Sequence, residues 1–413
     1  MTPQTPSHAA TVGASQRLRF FNTQEPVSPL YRDFLPFLAQ TGHRVDVLMA
    51  SRTYRAGEWH GDDAGIHIRH LPTGLPGWWP RPVTRAWTHG AYAVSAALAS
   101  VLGSGVDANV FLTQPPLFAA WGRVLEMLRG QPYGCLLMDL YPWVAIRAGV
   151  LAPGSALTSA LWALAVHTLR HARAVMVIGR CMAEQLDTLG VARERIHLVH
   201  NWADTEVVRP VAAADNPMRR ELGLAHQFVV MYSGNLGVSH DFDDLLTVAE
   251  RLGPDGGVTF LVAGDGARRP AVERAVHDRR LGHVRFIDHQ DYARLAQTLS
   301  VGDVHFVSLR SGFEGLVVPS KAYGICAAGR PIIYQGADGG EIARMIGEEE
   351  IGLVVPPEDP DALFRAVVYA RAHPDWRRCA GVRARAVSEG RYSKRRAMEA
   401  LAAALATIRS PGP

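Results

Sequence analysis

Residues 227–246 read QFVVMYSGNLGVSHDFDDLL. The apolar run Phe228–Tyr232 is short and continuous, as in a strand of a parallel sheet. Gly234 and Gly237 then punctuate the chain, and a helix opens near Asp241 with acids in its first turn. The unit is strand, glycine turn, helix. Downstream it recurs at VTFLVAG (258–264), VRFID (284–288), VHFVSL (304–309), PIIYQG (331–336) and GLVVPP (352–357), with helical stretches between. Upstream the strand-like runs are RLRFFNT (17–23), HRVDVLMA (43–50), IHIRHLP (66–72), ANVFLTQ (108–114), YGCLLMDL (133–140), AVMVIG (174–179) and IHLVHN (196–201). WADTEVVRPVAAADNP (202–217) has no periodicity and separates the two series as a linker. Alternation of this kind predicts an α/β fold of two doubly wound parallel sheets. Ligands then bind in the cleft between them, at the carboxyl ends of the strands.

The composition agrees. A chain of 413 residues, 48% hydrophobic and 20% charged, is long enough for two cores. The longest apolar stretch, 155–169, is too short to span a bilayer, and the N-terminus lacks the order of a signal peptide and reads as a disordered leader. Cys135, Cys181, Cys326 and Cys379 are far apart in apolar runs, as expected of buried thiols in a reducing, cytoplasmic compartment. The net charge of +4 is uneven: Arg371–Arg396 holds nine basic and two acidic residues, +7, which leaves −3 elsewhere. That stretch reads as a solvated helix face. No zinc spacing or aromatic–basic repeat points to nucleic acid.

Two glycine turns follow strands of the second half, Gly234-Asn235-Leu236-Gly237 and Gly264-Asp265-Gly266. Glycines there allow backbone N–H groups to approach an anion. An Asp-x-Asp at 241–243 fits an N-cap and first helical turn better than a metal site. The sharpest signal is VVPSKAYGICAAGRP (317–331). Lys321 and Lys394 are the only lysines among 43 basic residues. Pro319 and Ser320 read as helix-start residues, with Ser320 as the cap, so Lys321 falls in the first turn. A cation is unfavourable at a helix N-terminus unless an anion sits there too.

YSGNLG…HDF, VAGDG, VRFID…DYARL, GDVHFVSL, EGLVVPSKAYGICAAGRPII and GLVVPPEDPDAL have the order and spacing of a known domain. They resemble the C-terminal half of the retaining glycosyltransferases of family 4, especially the bacterial branch that builds surface polysaccharides. GHRVDVL, DLYPWVAIRAGVL, IGRCMAEQLDTLGV and VHNWAD resemble its N-terminal half. The likeness implies the GT-B fold, without a metal or other cofactor. It implies an acceptor domain over 17–208 after a leader at 1–16, a nucleotide-sugar domain over 209–392, and a helix at 393–413 that crosses back. Two glutamates eight positions apart, frequent in the family, would fall at Leu316 and Gly324; Glu314 lies two positions away. The family's Arg and Lys after the first donor-domain strand are replaced by Asn235 and Ser239–His240. NTQEPVSPLY (22–31) replaces the usual glycine loop.

The resemblance assigns a UDP- or GDP-sugar to the second domain and a saccharide or polyprenyl-linked saccharide to the first. Lys321 becomes the counter-charge of the diphosphate, with Ser320, Gly234, Asn235, Gly237, Gly264 and Gly266 around the donor. Glu314 would bind sugar hydroxyls, and Asp139 would orient the acceptor hydroxyl. Asp139 as a helix N-cap is the plain alternative. At the level of the chain, the alternatives are an inactive partner or regulatory subunit of the same fold and a nucleotide-sugar epimerase. LPTGLPGWWPRPVTRAW (71–87) mixes Trp, Pro and Arg as interfacial segments do, which predicts peripheral contact with the inner face of the cell membrane; tryptophans folded back onto the domain's own core are the plain alternative.

Overall fold

The computed structural model describes residues 15–22, 29–50, 65–71, 73, 81–103 and 105–408. The leader up to residue 14, residues 74–80 with their tryptophan pair, and most of the segment that replaces the glycine loop lie outside them.

Among the described residues, thirteen strands form where the apolar runs predict them. β1 (Arg17–Asn22), β2 (Arg44–Ala50), β3 (Ile66–Leu71), β4 (Ala108–Leu112), β5 (Tyr133–Leu137), β6 (Ala174–Val177) and β7 (Ile196–Leu198) make a sheet of order β3-β2-β1-β4-β5-β6-β7. β8 (Phe228–Ser233), β9 (Val258–Ala263), β10 (Val284–Ile287), β11 (Val304–Ser308), β12 (Ile332–Gln335) and β13 (Gly352–Val355) make a second, of order β10-β9-β8-β11-β12-β13. Every pairing is parallel, so every connection must cross over, and helices cover both faces. β8, the opening stretch, is buried along its whole length at the centre of the second sheet.

One face of the first sheet packs on helices Arg81–Leu102, Ala120–Arg129 and Ala156–His171, through Tyr92, Leu125, Val166 and Leu169. The other packs on helices Pro29–Gln40 and Lys394–Ile408, through Phe34, Leu38, Leu401, Leu405 and Ile408. The last helix therefore lies against the first sheet, and Ile408 fills the space that a side chain at Gly134 would occupy. Lys394 fixes its start: Nζ donates to Asp33 (2.9 Å) and to Asp204 (2.8 Å), and Trp202 Nε1 donates to Asp33 (2.6 Å).

The basic stretch is more than a solvated face. Arg385 donates to the carbonyls of Val208 (2.6 Å), Ala327 (2.7 Å) and Thr205 (2.9 Å), and ties the linker to the second domain. Cys135, Cys181 and Cys326 are buried thiols; Cys379 is exposed, because it faces out from helix Pro374–Glu389.

One apolar core continues across the domain interface, from Leu140, Val144, Ile178 and Cys181 to Leu316, Val318, Tyr323 and Ile342. Polar contacts key it. The Leu140 N–H donates to the Leu316 carbonyl (2.8 Å), and Asp139 and Val317 form an isolated antiparallel bridge. The Arg180 backbone N–H donates to Glu341 Oε2 (2.6 Å) and its Nε to Oε1 (3.1 Å), while the Glu341 carboxylate is fully buried. Arg344 grips Glu184 with both nitrogens (2.5 and 2.7 Å).

Candidate active site

A cleft of about 570 Å³ lies between the two sheets, at the carboxyl ends of their strands. Met138 and Asp139 line it from beyond β5; Ser233, Gly234 and Asn235 line it from β8 and its turn. Gly264 follows β9, and Ser320 and Lys321 open helix Lys321–Ala327. The structure thus gathers Asp139, Gly234, Asn235, Gly264, Ser320 and Lys321. Gly237, Gly266 and Glu314 do not line the cleft.

Lys321 is the centre of the second-domain wall. Its Nζ donates to the Tyr232 hydroxyl, sits 3.8 Å from the centroid of that ring, and lies 3.4 Å from His240 Nε2. The Tyr232 hydroxyl spends its own proton on the Asn235 carbonyl (2.7 Å), so it faces Lys321 with lone pairs. His240 is fixed in the same sense. Nδ1 lies 2.6 Å from the Ser308 carbonyl and must donate to it, which leaves Nε2 as an acceptor. Burial, then the Lys321 charge, push the His240 pKa down to about 3, so the ring is neutral. Both groups facing Lys321 are therefore neutral, and no carboxylate pairs with it among the described residues. Burial holds the Lys321 pKa well below the ordinary lysine range.

Ser320 occupies the N-cap position, but its backbone is already helical (φ −61°, ψ −19°) and its side chain makes no capping bond. The expected cap is absent because the first turn begins one residue earlier: the Ala322 N–H reaches the Pro319 carbonyl (3.2 Å). The serine side chain makes no hydrogen bond with a described residue and lies at the cleft wall.

The glycine turns have a different local reason from the expected one. A Cβ on Gly264 would lie 2.3 Å from the Gly234 carbonyl oxygen, and one on Gly266 would lie 2.6 Å from Leu236 N. The two turns pack backbone on backbone, and both glycines have positive φ (130° and 153°). Their N–H groups are committed: Gly234 to the Ala263 carbonyl (2.9 Å), Leu236 to Asp265 (2.8 Å), Gly264 to Ile287 (3.1 Å), Gly266 to Asp265 Oδ1 (2.7 Å). These four amides are not available to an anion, and among the described residues that line the cleft Lys321 is the cation of this wall.

Asp139 sits two residues beyond β5. The helix that follows starts at Trp143 with Pro142 in the cap position, so Asp139 does not cap it. Its carboxyl makes no hydrogen bond with a described residue. Burial raises its pKa to about 6. Glu314 lies behind the wall: Oε2 accepts the Gly312 N–H (2.7 Å), and Oε1 is buried without a partner among the described residues. Asp241 and Asp243 behave as helix-start acids, Asp241 Oδ1 accepting the Asp243 N–H (2.9 Å). Tyr232 went unmarked in the sequence because a tyrosine inside a buried strand looks like core. His240 was visible as the residue standing where the family carries a cation.

Known proteins agree with this architecture. Residues 34–202 match the model of a glycosyl transferase 4-like domain, and residues 227–372 that of the glycosyl transferases group 1. The chain is 30% identical to the glycosyltransferase WbjE of Pseudomonas aeruginosa, over 67% of this chain and 69% of that protein. It is 25% identical to the colanic acid biosynthesis glycosyl transferase WcaI of Escherichia coli (strain K12), over 83% and 88%. Among solved structures, Anabaena Alr3699/HepE in complex with UDP superposes with a TM-score of 0.71, at 14% identity, covering 94% of this chain and 99% of that one. With both halves matched in order and the two-sheet cleft between them, this chain belongs to the family 4 glycosyltransferases of the GT-B fold.

Proposed function

We propose that the protein moves a sugar from a nucleoside diphosphate donor to a saccharide or lipid-linked saccharide, with retention and without a metal, in cell-surface polysaccharide synthesis. The observation that carries this reading is the Lys321 ammonium, held at the cleft between two neutral acceptors and short of an anion. A diphosphate is that anion. As the bond to the sugar breaks, negative charge grows on the leaving phosphate, and a fixed ammonium stabilises it most at that moment.

Asn235 and Ser320 offer side-chain hydrogen bonds from the same wall, and Gly234 keeps the space over Lys321 open: a Cβ there would lie 3.4 Å from Lys321 Cε. Across the cleft, Asp139 orients the acceptor hydroxyl. With a pKa near 6 it is mainly ionised at neutral pH and accepts a hydrogen bond. The departing phosphate can take the proton in a front-face transfer. Gly237 and Gly266 act on the donor through the shape of their turns, and Glu314 by bracing the 311–318 segment. UDP is the first nucleotide to test, since Anabaena Alr3699/HepE was solved with it; GDP is the second.

The test is a thermal-shift screen of UDP, GDP and the matching nucleosides on purified protein, followed by transfer assays with the stabilising donor. Stabilisation by a diphosphate over its nucleoside, transfer that survives EDTA, and a product with the donor's anomeric configuration are expected. Stabilisation by neither nucleotide would overturn the reading.

A further inference from the structure

The second domain has another concavity, at the opposite end of its sheet. A groove of about 560 Å³ runs along helix Pro374–Glu389, and Asp303 and Pro331, which directly precede β11 and β12, line it. The strands are parallel, so this is the amino-end side of the sheet, and the groove shares no lining residue with the cleft. Its volume is that of a small-molecule site. The helix presents Arg377, Arg378, Val382 and Arg385 along one side. Gly381 lets it sit close: a Cβ there would lie 2.4 Å from the Gly329 carbonyl oxygen. That contact brings Arg330, the next residue, against the same groove.

Four arginines and two acids line the groove. Both acids are engaged. Asp303 Oδ2 accepts from Arg219 (3.0 Å) and from the Val229 N–H (2.8 Å), and Glu389 Oε1 accepts from Arg385 (2.7 Å). Arg378 pairs with Asp375, just outside the groove (3.1 Å). Arg330 and Arg377 have only neutral acceptors. Arg330 Nη2 donates to the carbonyls of Val211 (2.6 Å) and Ser300 (2.9 Å), and Arg377 Nη1 donates to those of Ala370 and Arg371. Arg330 Nη1 and Arg377 Nε and Nη2 make no hydrogen bond with a described residue, and Arg330 Nε is buried without such a partner. Burial lowers the pKa of both groups against the pull of Asp303, yet an arginine stays charged. Two positive charges, partly desolvated, thus share one groove without a counter-ion of their own.

The charge count selects the ligand. A phosphate monoester carries about −1.5 to −2 at neutral pH and has three acceptor oxygens, so one group answers two guanidiniums; a carboxylate answers one. Pro210, Pro331 and Ala386 give apolar walls for an organic body. We propose that this groove binds a small phosphorylated metabolite, with Arg330 and Arg377 holding its phosphate. The linker is fastened at the same place, Val211 to Arg330 and Thr205 and Val208 to Arg385, so the occupant rests on the joint between the two domains. The proposal does not depend on the transfer reading.

The probe is glycerol 3-phosphate. Its phosphorus resonance is recorded with and without the full chain, at an ionic strength held constant with sodium chloride. Wild type broadens the line, and so does Lys321→Ala, in which the cation of the cleft is gone. Val382→Glu sets a carboxylate in the groove from a side chain that is 66% exposed, so the fold is kept and the broadening is lost. Arg377→Gln loses it too. Circular dichroism checks each fold; if Arg377→Gln unfolds, Val382→Glu alone decides. A wild type that leaves the line sharp overturns the proposal, as does a Val382→Glu variant that broadens it as wild type does. Broadening by wild type that vanishes in Lys321→Ala puts the phosphate in the cleft, and equally sinks the idea.

Discussion

A lysine at the start of a helix answers to what surrounds its nitrogen. Lys321 has a hydroxyl lone pair, an imidazole lone pair and an aromatic face, all neutral, and an open cleft beyond them. Lys321→Ala should weaken nucleoside diphosphate binding by about 1.5–3 kcal/mol while leaving nucleoside binding nearly unchanged, as titration calorimetry would read. Lys321→Arg should recover little, because the flat guanidinium does not fit a point-charge site between Tyr232 and His240. Since burial depresses the Lys321 pKa and a diphosphate would raise it, donor binding should take up a proton and weaken as pH rises. Asp139 has the opposite sign. Its folded pKa of about 6 lies above the unfolded value of 3.8, so the folded state holds more protons between them and loses stability as pH rises through that window. Asp139→Asn should therefore raise the melting temperature at pH 7, by an amount corresponding to about 1–3 kcal/mol, with no gain at pH 3.5, while transfer falls about a hundredfold. Loss of stability together with loss of transfer would mark Asp139 as a structural residue.

Elements were legible where local chemistry decides them. Each apolar run became a strand and each parallel step a crossover, because a fully buried strand needs a continuous apolar sequence and no particular tertiary partner. The helix at the C-terminus was also readable: Lys394–Ile408 is helical where 393–413 was expected, and residues 409–413 lie outside the described ones. Side-chain roles at turns were harder. Ser320 has the identity of a cap, but the first turn started a residue early; Gly234 and Gly264 look like anion-binding glycines, but their amides are taken by the carbonyls of Ala263 and Ile287 on neighbouring strands. The commitment of the glycine amides has no local signal, since their partners lie on strands distant in the sequence. The same long-range logic gives a test of helix Lys394–Ile408. An alanine Cβ at Gly134 would lie 2.5 Å from Ile408 Cδ1. Gly134→Ala should cost about 1–3 kcal/mol by overpacking and Ile408→Ala about 2–5 kcal/mol by leaving a cavity. Together they should cost less than the sum by about 1 kcal/mol, because each relieves the other; strict additivity in denaturant melts would show that the contact is not tight.

At the scale of the molecule, two sheets share one apolar core and a buried ion pair. Arg180→Ala would strand the Glu341 carboxylate in that core, which costs about 3–5 kcal/mol. Calorimetry should then resolve two melting transitions where wild type shows one, since the pair couples the halves; a single transition merely shifted down would mean that the apolar contact suffices. The arrangement of the last helix carries a further consequence, for how the chain reaches its native state on the ribosome. The first seven strands emerge long before residues 394–408, yet the surface formed by Leu18, Val47, Val110 and Met176 is completed by Leu401, Leu405 and Ile408. The leading half must therefore wait, with one side of its sheet incompletely covered, while the whole second domain is synthesised. During that interval it is an exposed apolar surface of the kind that chaperones bind, and a stop codon before residue 394 would make the wait permanent.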